Sequence, residues 1–258
     1  MTPVSVVVPC FNEAGRLPVE RFERGLAELP DVAFVFVDDG STDATAAMLE
    51  RLRTGAPDRV RVLRLPRNVG KGEAVRAGLL DALQRDARYV GYWDADLATP
   101  LTAIGTFREV LEAHPELEMV FGARVQLLGR EIRRRALRHY LGRAFATVVS
   151  LTLRLAIYDT QCGAKLFRVT AFLPELFREP FLTRWVFDVE IIARLIRARR
   201  GTNRPQPEAV IYEYPLESWV NGAGSKVRGL DFVRAMGDVL RIYRHYLAPR
   251  AWTAPRPT

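Results

Sequence analysis

Arg88-Tyr-Val-Gly-Tyr-Trp-Asp94-Ala-Asp96-Leu is an apolar run that ends in two carboxylates one residue apart, with Pro100 close behind. A run without polar alternation reads as a strand buried on both faces. Near a strand end, alternate side chains point the same way, so both carboxylates can meet one ligand. Two like charges that close repel unless something positive lies between them. A divalent cation suits the pair, because Mg2+ is often held by one or two carboxylates plus substrate phosphates. The plain alternative is a solvated turn after a strand, and a lone Asp-x-Asp does not separate the two.

The neighbouring sequence repeats the pattern. Val4–Val8, Val32–Val37, Val60–Leu65 and Met119–Phe121 are further apolar runs. Amphipathic stretches around Asp43–Arg53, Glu73–Arg85 and Leu101–Ala113 lie among them. Buried strands alternating with helices predict an α/β fold, a Rossmann-like, mostly parallel sheet with helices on both faces. Ligands of such sheets bind at the carboxyl ends of the strands. The polar clusters fall there: Asn12-Glu13, Asp38-Asp39-Gly-Ser-Thr-Asp43, Asn68-Val-Gly-Lys71 and Asp94-Ala-Asp96.

The second half is more helical. Glu131–Ile157 reads as one long helix with a basic start, Asp188–Arg199 as a second and Leu230–Tyr246 as a third, with Glu208–Tyr214 as an edge strand. The expected organisation is a single domain over residues 1–248, with one half over 1–123 and a second over 124–248. The proline-rich residues 249–258 read as a flexible tail.

The 258 residues are 48% hydrophobic and 26% charged, enough for one large core, and the net charge of +8 favours anionic partners. Only Cys10 and Cys162 are present, so no disulfide framework is expected and the default setting is cytoplasmic. No signal peptide or spanning helix is read. The three histidines sit in dissimilar contexts, without a histidine metal site or a nucleophilic triad. The basic run Arg130–Arg138 lacks interleaved aromatics, which argues against nucleic acid and for a solvated helix face or contact with anionic headgroups.

Gly40 allows a tight turn, and capping accounts for Ser41, Thr42 and Asp43 as well as function does. It does not account for Asp38 and Asp39, which precede the glycine. Asn68-Val-Gly-Lys71-Gly72 can offer backbone amides and a lysine to phosphate, though it is neither a Walker loop nor Gly-x-Gly-x-x-Gly. Cys162 reads as packing rather than as a nucleophile. Asp188 and Glu190 open an apolar helix, where the dipole favours acids.

Taken together, Pro9-Cys-Phe-Asn12-Glu13, Val37-Asp38-Asp39-Gly-Ser-Thr-Asp43, Asn68-Val-Gly-Lys71-Gly72 and Asp94-Ala-Asp96 resemble an inverting family 2 glycosyltransferase of the GT-A fold. Phe121-Gly-Ala-Arg124, Asp159-Thr-Gln161-Cys-Gly-Ala-Lys165, Trp185-Val-Phe-Asp188 and Trp219-Val-Asn-Gly-Ala-Gly-Ser225-Lys226 are similar to the polyprenyl- or dolichyl-phosphate β-glucosyltransferases and the related mannosyltransferases. Those enzymes usually carry a membrane anchor, which is not read here.

The resemblance implies that Pro9, Asn12, Glu13 and Asp39 hold the nucleoside, that Lys71, Gly72 and Arg124 lie near the donor, and that Asp94 and Asp96 bind Mg2+ or Mn2+. It implies hexose transfer, glucose from UDP-glucose first, to a lipid phosphate, with peripheral contact at the inner face of the plasma membrane. A phosphate acceptor arrives as an anion and hardly needs a base. The alternative is a soluble family 2 enzyme acting on a hydroxyl in polysaccharide or small-molecule glycosylation; it needs a base, with Asp188 and Asp159 the first suspects. Arg124, Arg133, Arg134, Gln161, Lys165, Ser225 and Lys226 are the candidates for the acceptor side.

Overall fold

The central strand β1 (Val4–Cys10) is buried on both faces, as its unbroken apolar run requires. Val4, Val6 and Val8 enter one core cluster and Val7 the other. The computed structural model describes residues 4–133, 136–220 and 229–248, with the backbone alone at 133, 136–141 and 229–231.

After β1 come α1 (Val19–Glu28), β2 (Val32–Asp38), α2 (Thr45–Gly55), β3 (Val60–Arg64), α3 (Lys71–Leu83), β4 (Tyr89–Trp93), α4 (Ala103–Ala113) and β5 (Met119–Ala123). These include all five strands and three helices expected from the first half, with small shifts at their ends. The sequence reading does not include α1, although its buried Val19, Phe22 and Leu26 repeat at helical spacing.

The second half continues with β6 (Glu131–Arg133), α5 (Ala136–Leu153), β7 (Ala164–Arg168), α6 (Leu173–Arg178), α7 (Phe187–Arg199), α8 (Pro207–Val210), β8 (Ile211–Pro215), β9 (Ser218–Val220), α9 (Gly229–Ile242) and a π-helical turn at Tyr243–Leu247. The main sheet has the order β3-β2-β1-β4-β7-β5-β8. Its strands are parallel except β7, which pairs antiparallel with β4 and β5. The sheet therefore draws on both halves of the chain. The edge strand β8 tolerates Pro215 at its end because one side of its backbone has no ladder to complete.

Two expectations are corrected. Of the expected edge strand Glu208–Tyr214 only Ile211 onward is strand, because Pro207–Val210 forms α8. Glu131–Ile157 is not one helix: β6 pairs in parallel with β9, and α5 follows. Arg154, at φ 55, closes that helix short of Ile157. Strand β7 carries no strand signal in the sequence, because five residues including a lysine give little periodicity. Among the described residues no helix is long and apolar enough to cross a membrane. The expected tail, 249–258, lies outside the described residues.

A buried ion pair fixes α7. Glu190 is fully buried, and Leu182 N (3.0 and 2.9 Å), Arg194 Nη2 (2.8 Å) and Tyr246 Oη (2.9 Å) donate to it. Arg194 also donates to the carbonyls of Leu176, Glu179 and Pro180 at 2.8, 2.7 and 2.6 Å. The pair thus ties α6, the following loop and the π-helical turn to α7. Arg194→Leu leaves an uncompensated buried carboxylate and is expected to cost about 3–5 kcal/mol in urea denaturation. Replacing both residues with leucine should cost less than that single change.

Candidate active site

β4 ends at Trp93, so Asp94 and Asp96 stand in the turn beyond it. Leu97 adopts φ 49, its N–H donates to Asp94 O at 3.1 Å, and Ala98 N donates to Asp96 Oδ1 at 3.1 Å. Trp93 Nε1 holds the turn from below through Thr99 O at 3.0 Å. A turn, not the pleat of a strand, therefore brings the two acids together. Burial, and then the charge of Asp94, push the Asp96 carboxyl up, against smaller opposing effects of the Ala98 N–H, Arg16 and Lys71.

Lys71 opens α3 and reaches Asp94 Oδ1 with its ammonium at 2.5 Å. Burial pulls its pKa down, but the charges of Asp94 and Asp188 outweigh it and raise the pKa. The loop before it is shaped by Asp39. Oδ1 accepts from Val69 N (2.7 Å), and Oδ2 from Asn68 Nδ2 (3.0 Å) and Gly70 N (2.9 Å). Asn68 accepts in turn from Arg184, and Gly72 N donates to Arg184 O at 3.2 Å. Gly70 has φ 104, and a Cβ there would lie 2.9 Å from Arg184 Nε. Asp39, expected at the nucleoside, here braces the glycine loop.

The loops after β1 and β2 are fastened together. Asn12 N donates to Ser41 Oγ (3.0 Å), Thr42 N to Asn12 Oδ1 (2.9 Å) and Glu13 N to Thr45 Oγ1 (2.7 Å). Asp38 accepts from Ser41 N at 2.9 Å, and Glu13 grips Arg16 through two bonds of 2.5 Å. Pro9 precedes this loop within β1.

Across the rim, Asp94 N donates to Gly163 O at 2.9 Å. A Cβ on Gly163 would overlap the Asp94 carboxylate. Lys165, expected to meet the acceptor, is instead fully buried. Its ammonium donates to Thr160 O (2.9 Å), Cys162 O (2.6 Å) and Asp188 Oδ1 (2.5 Å), so it is an internal anchor. Tyr92 Oη also donates to Asp188 Oδ1. Arg124 clasps Asp159 through Nε (2.6 Å) and Nη2 (2.8 Å), with its guanidinium 5.3 Å from the centre of the Trp219 ring. Glu213 accepts from Tyr158 N and Asp159 N, both at 2.7 Å. Gln161 stays beside this cluster, its N donating to Asp159 Oδ1 at 3.2 Å.

Cys162 is packing, as expected; burial pushes its thiol up to about 11. The side chain of Arg133, and all of Arg134, Ser225 and Lys226, lie outside the described residues. Tyr92, Arg184 and Glu213 escaped the sequence reading. Only Tyr92 had a signal, lying two residues before Asp94.

Among the described residues no group of three or more His, Cys, Asp or Glu could hold a metal by itself. Asp94 and Asp96 nevertheless fit a hard cation. They offer carboxylate oxygens, and the Asp96 charge is disfavoured by burial and by its neighbour. Mg2+ and similar ions complete such a site with phosphate oxygens.

A doubly covered sheet with one reversed strand beside an Asp-x-Asp turn is the GT-A frame of a glycosyltransferase. The chain belongs to glycosyl transferase family 2, whose sequence profile matches residues 5–173. The dolichyl-phosphate β-glucosyltransferase of Drosophila melanogaster is 34% identical over 96% of this chain and 76% of its own length. That of Saccharomyces cerevisiae is 30% identical over 95% and 75%. In fold, the chain is similar to the glucosyl-3-phosphoglycerate synthase of Mycobacterium tuberculosis, solved with Mn2+, UDP-glucose and phosphoglyceric acid. That likeness has a TM-score of 0.61 at 17% identity and covers 97% of this chain and 81% of the other.

Gly163→Ala is expected to displace Asp94 and lower turnover about 100-fold, the scale of a misplaced reacting group, with the melting temperature little changed. Asp96→Asn should raise the melting temperature of the metal-free protein at neutral pH. A raised carboxyl contributes stability at low pH that is lost as pH climbs through its folded-state value, so the gain should shrink in acid. The same variant should lose the stabilisation that donor plus Mn2+ gives the parent, about 2.7 kcal/mol at a hundredfold excess over Kd.

Proposed function

We propose that this glycosyltransferase moves glucose from UDP-glucose, with Mg2+ or Mn2+, onto a polyprenyl or dolichyl phosphate, inverting the anomeric carbon. The observation that carries the choice of acceptor is the state of the two candidate bases. Asp188 is held by the buried Lys165 and by Tyr92, and Asp159 by the two-pronged clasp of Arg124. Taking a proton would strand the Lys165 ammonium in the core or break the Arg124 clasp. A hydroxyl acceptor needs such a base; a phosphate brings its own negative charge. The names of the relatives agree with this reading.

In the proposed step, an acceptor phosphate oxygen forms a bond to C1 as the C1–O bond to the diphosphate breaks. The nucleoside diphosphate leaves with the electron pair. A bound divalent ion would supply Lewis-acid stabilisation of that leaving group. Asp94 and Asp96 would hold the ion, and Lys71 would add positive charge beside the same phosphates. Residues 1–123 would serve the donor, with Asn12, Glu13 and Asp39 framing the nucleoside pocket through their loops. Residues 124–248 would serve the acceptor, with Arg124, Arg133, Arg134, Ser225 and Lys226 near its phosphate. The work would be done at the cytoplasmic face of a membrane.

Incubation with radiolabelled UDP-glucose, Mg2+ and undecaprenyl phosphate should yield a butanol-extractable labelled lipid, and undecaprenol should yield none. Acceptor kcat/KM should fall about tenfold per pH unit below about 6, as the phosphate takes up its second proton. Labelling of the alcohol at a comparable rate would refute the phosphate assignment.

A further inference from the structure

We propose that the outward face of α9, with the adjoining end of α5, rests on a membrane surface rich in anionic headgroups. Among the described residues, four of the nine exposed large apolar side chains lie here. Leu151 is 74% exposed, Val233 68%, Leu240 48% and Tyr243 37%. Val233 and Leu240 are two helical turns apart on α9 and so share a stripe, while Val239 and Ile242 face the core. Tyr243 and residues 152–155 of the α5 end line one shallow cavity, which joins the two elements into one surface.

Basic groups outnumber acids along that apolar stripe, where Glu208 is the one acid among the described residues lining the two cavities. Arg241, Arg244 and His245 line a groove with Leu240, and Arg154 and Arg200 are exposed on its other side. Apolar side chains flanked by exposed arginines suit the boundary between headgroups and acyl chains, where a guanidinium meets lipid phosphate. A second copy fits poorly, because a two-fold contact would set this basic surface against itself.

The face also adjoins the active site. Arg241 donates to Leu182 O at 3.0 Å, and two residues on, Arg184 holds the glycine loop through Asn68. The inference rests on the proposed lipid acceptor only for the reason a membrane is needed. It differs from the contact expected at Arg130–Arg138.

Flotation of the full chain with phosphatidylglycerol-containing vesicles tests the surface. The parent should float, and V233E/L240E should bind at least tenfold less while keeping its circular dichroism and melting temperature. Arg154→Gln with Arg244→Gln should weaken binding to the anionic vesicles and make the binding that remains less salt-sensitive. Transfer to a short, detergent-soluble prenyl phosphate should be unchanged in V233E/L240E, and transfer to a long-chain acceptor in vesicles should drop. Equal flotation of V233E/L240E and parent overturns the proposal. So does a parent dimer, seen by sedimentation, that these substitutions split. A parent that floats but glucosylates no prenyl phosphate would discard the proposed function and leave this surface standing.

Discussion

Negative charge must be held at the rim of a sheet, and the surrounding structure is arranged around that constraint. Asp94 is flanked by the Lys71 ammonium on one side and by the side-chain-free Gly163 on the other, which also supplies a carbonyl to its backbone. Asp96 lies next to it with its charge disfavoured by burial. Each acid is kept in place by neighbours that would otherwise have no reason to converge: a helix start, a turn and the entry to a reversed strand. Positive charge arriving from solution relieves the repulsion that this convergence creates.

The reversed strand β7 links the rim to the core. It lies between β4 and β5, and its Lys165 runs inward rather than out to solvent. That buried ammonium orders Asp188 at the head of α7 together with Tyr92 from β4. The ion pair of Glu190 and Arg194 then locks the same helix against the preceding loop. One line of buried charge thus runs from the Asp94 rim into the second half of the chain. Such groups are costly to bury unless every one is paired, which makes their geometry rigid.

Much of this was legible in the residues. Unbroken apolar runs gave the parallel strands, since a strand covered on both faces has no place for polar alternation. The acids and glycines at their ends marked the candidate site, because loops at the carboxyl edge converge. The roles of individual side chains were less legible. Asp39 and Lys165 read alike as ligands by type and motif, but the residues do not tell that Asp39 also accepts from the glycine loop or that Lys165 is fully buried against Asp188. A charged residue in a motif looks the same whether it faces a substrate or a neighbouring backbone.

The sequence by itself determined the alternation of strands and helices, the Asp-x-Asp rim and the family, because these depend on local periodicity and on residue type at short spacing. Only the tertiary structure decided that β6 interrupts the expected long helix, that β7 runs backwards through the sheet, and that Asp188 and Asp159 are already paired. Those outcomes depend on contacts between residues far apart in the chain, where the free energy of burying a charge turns on a partner that no local pattern names.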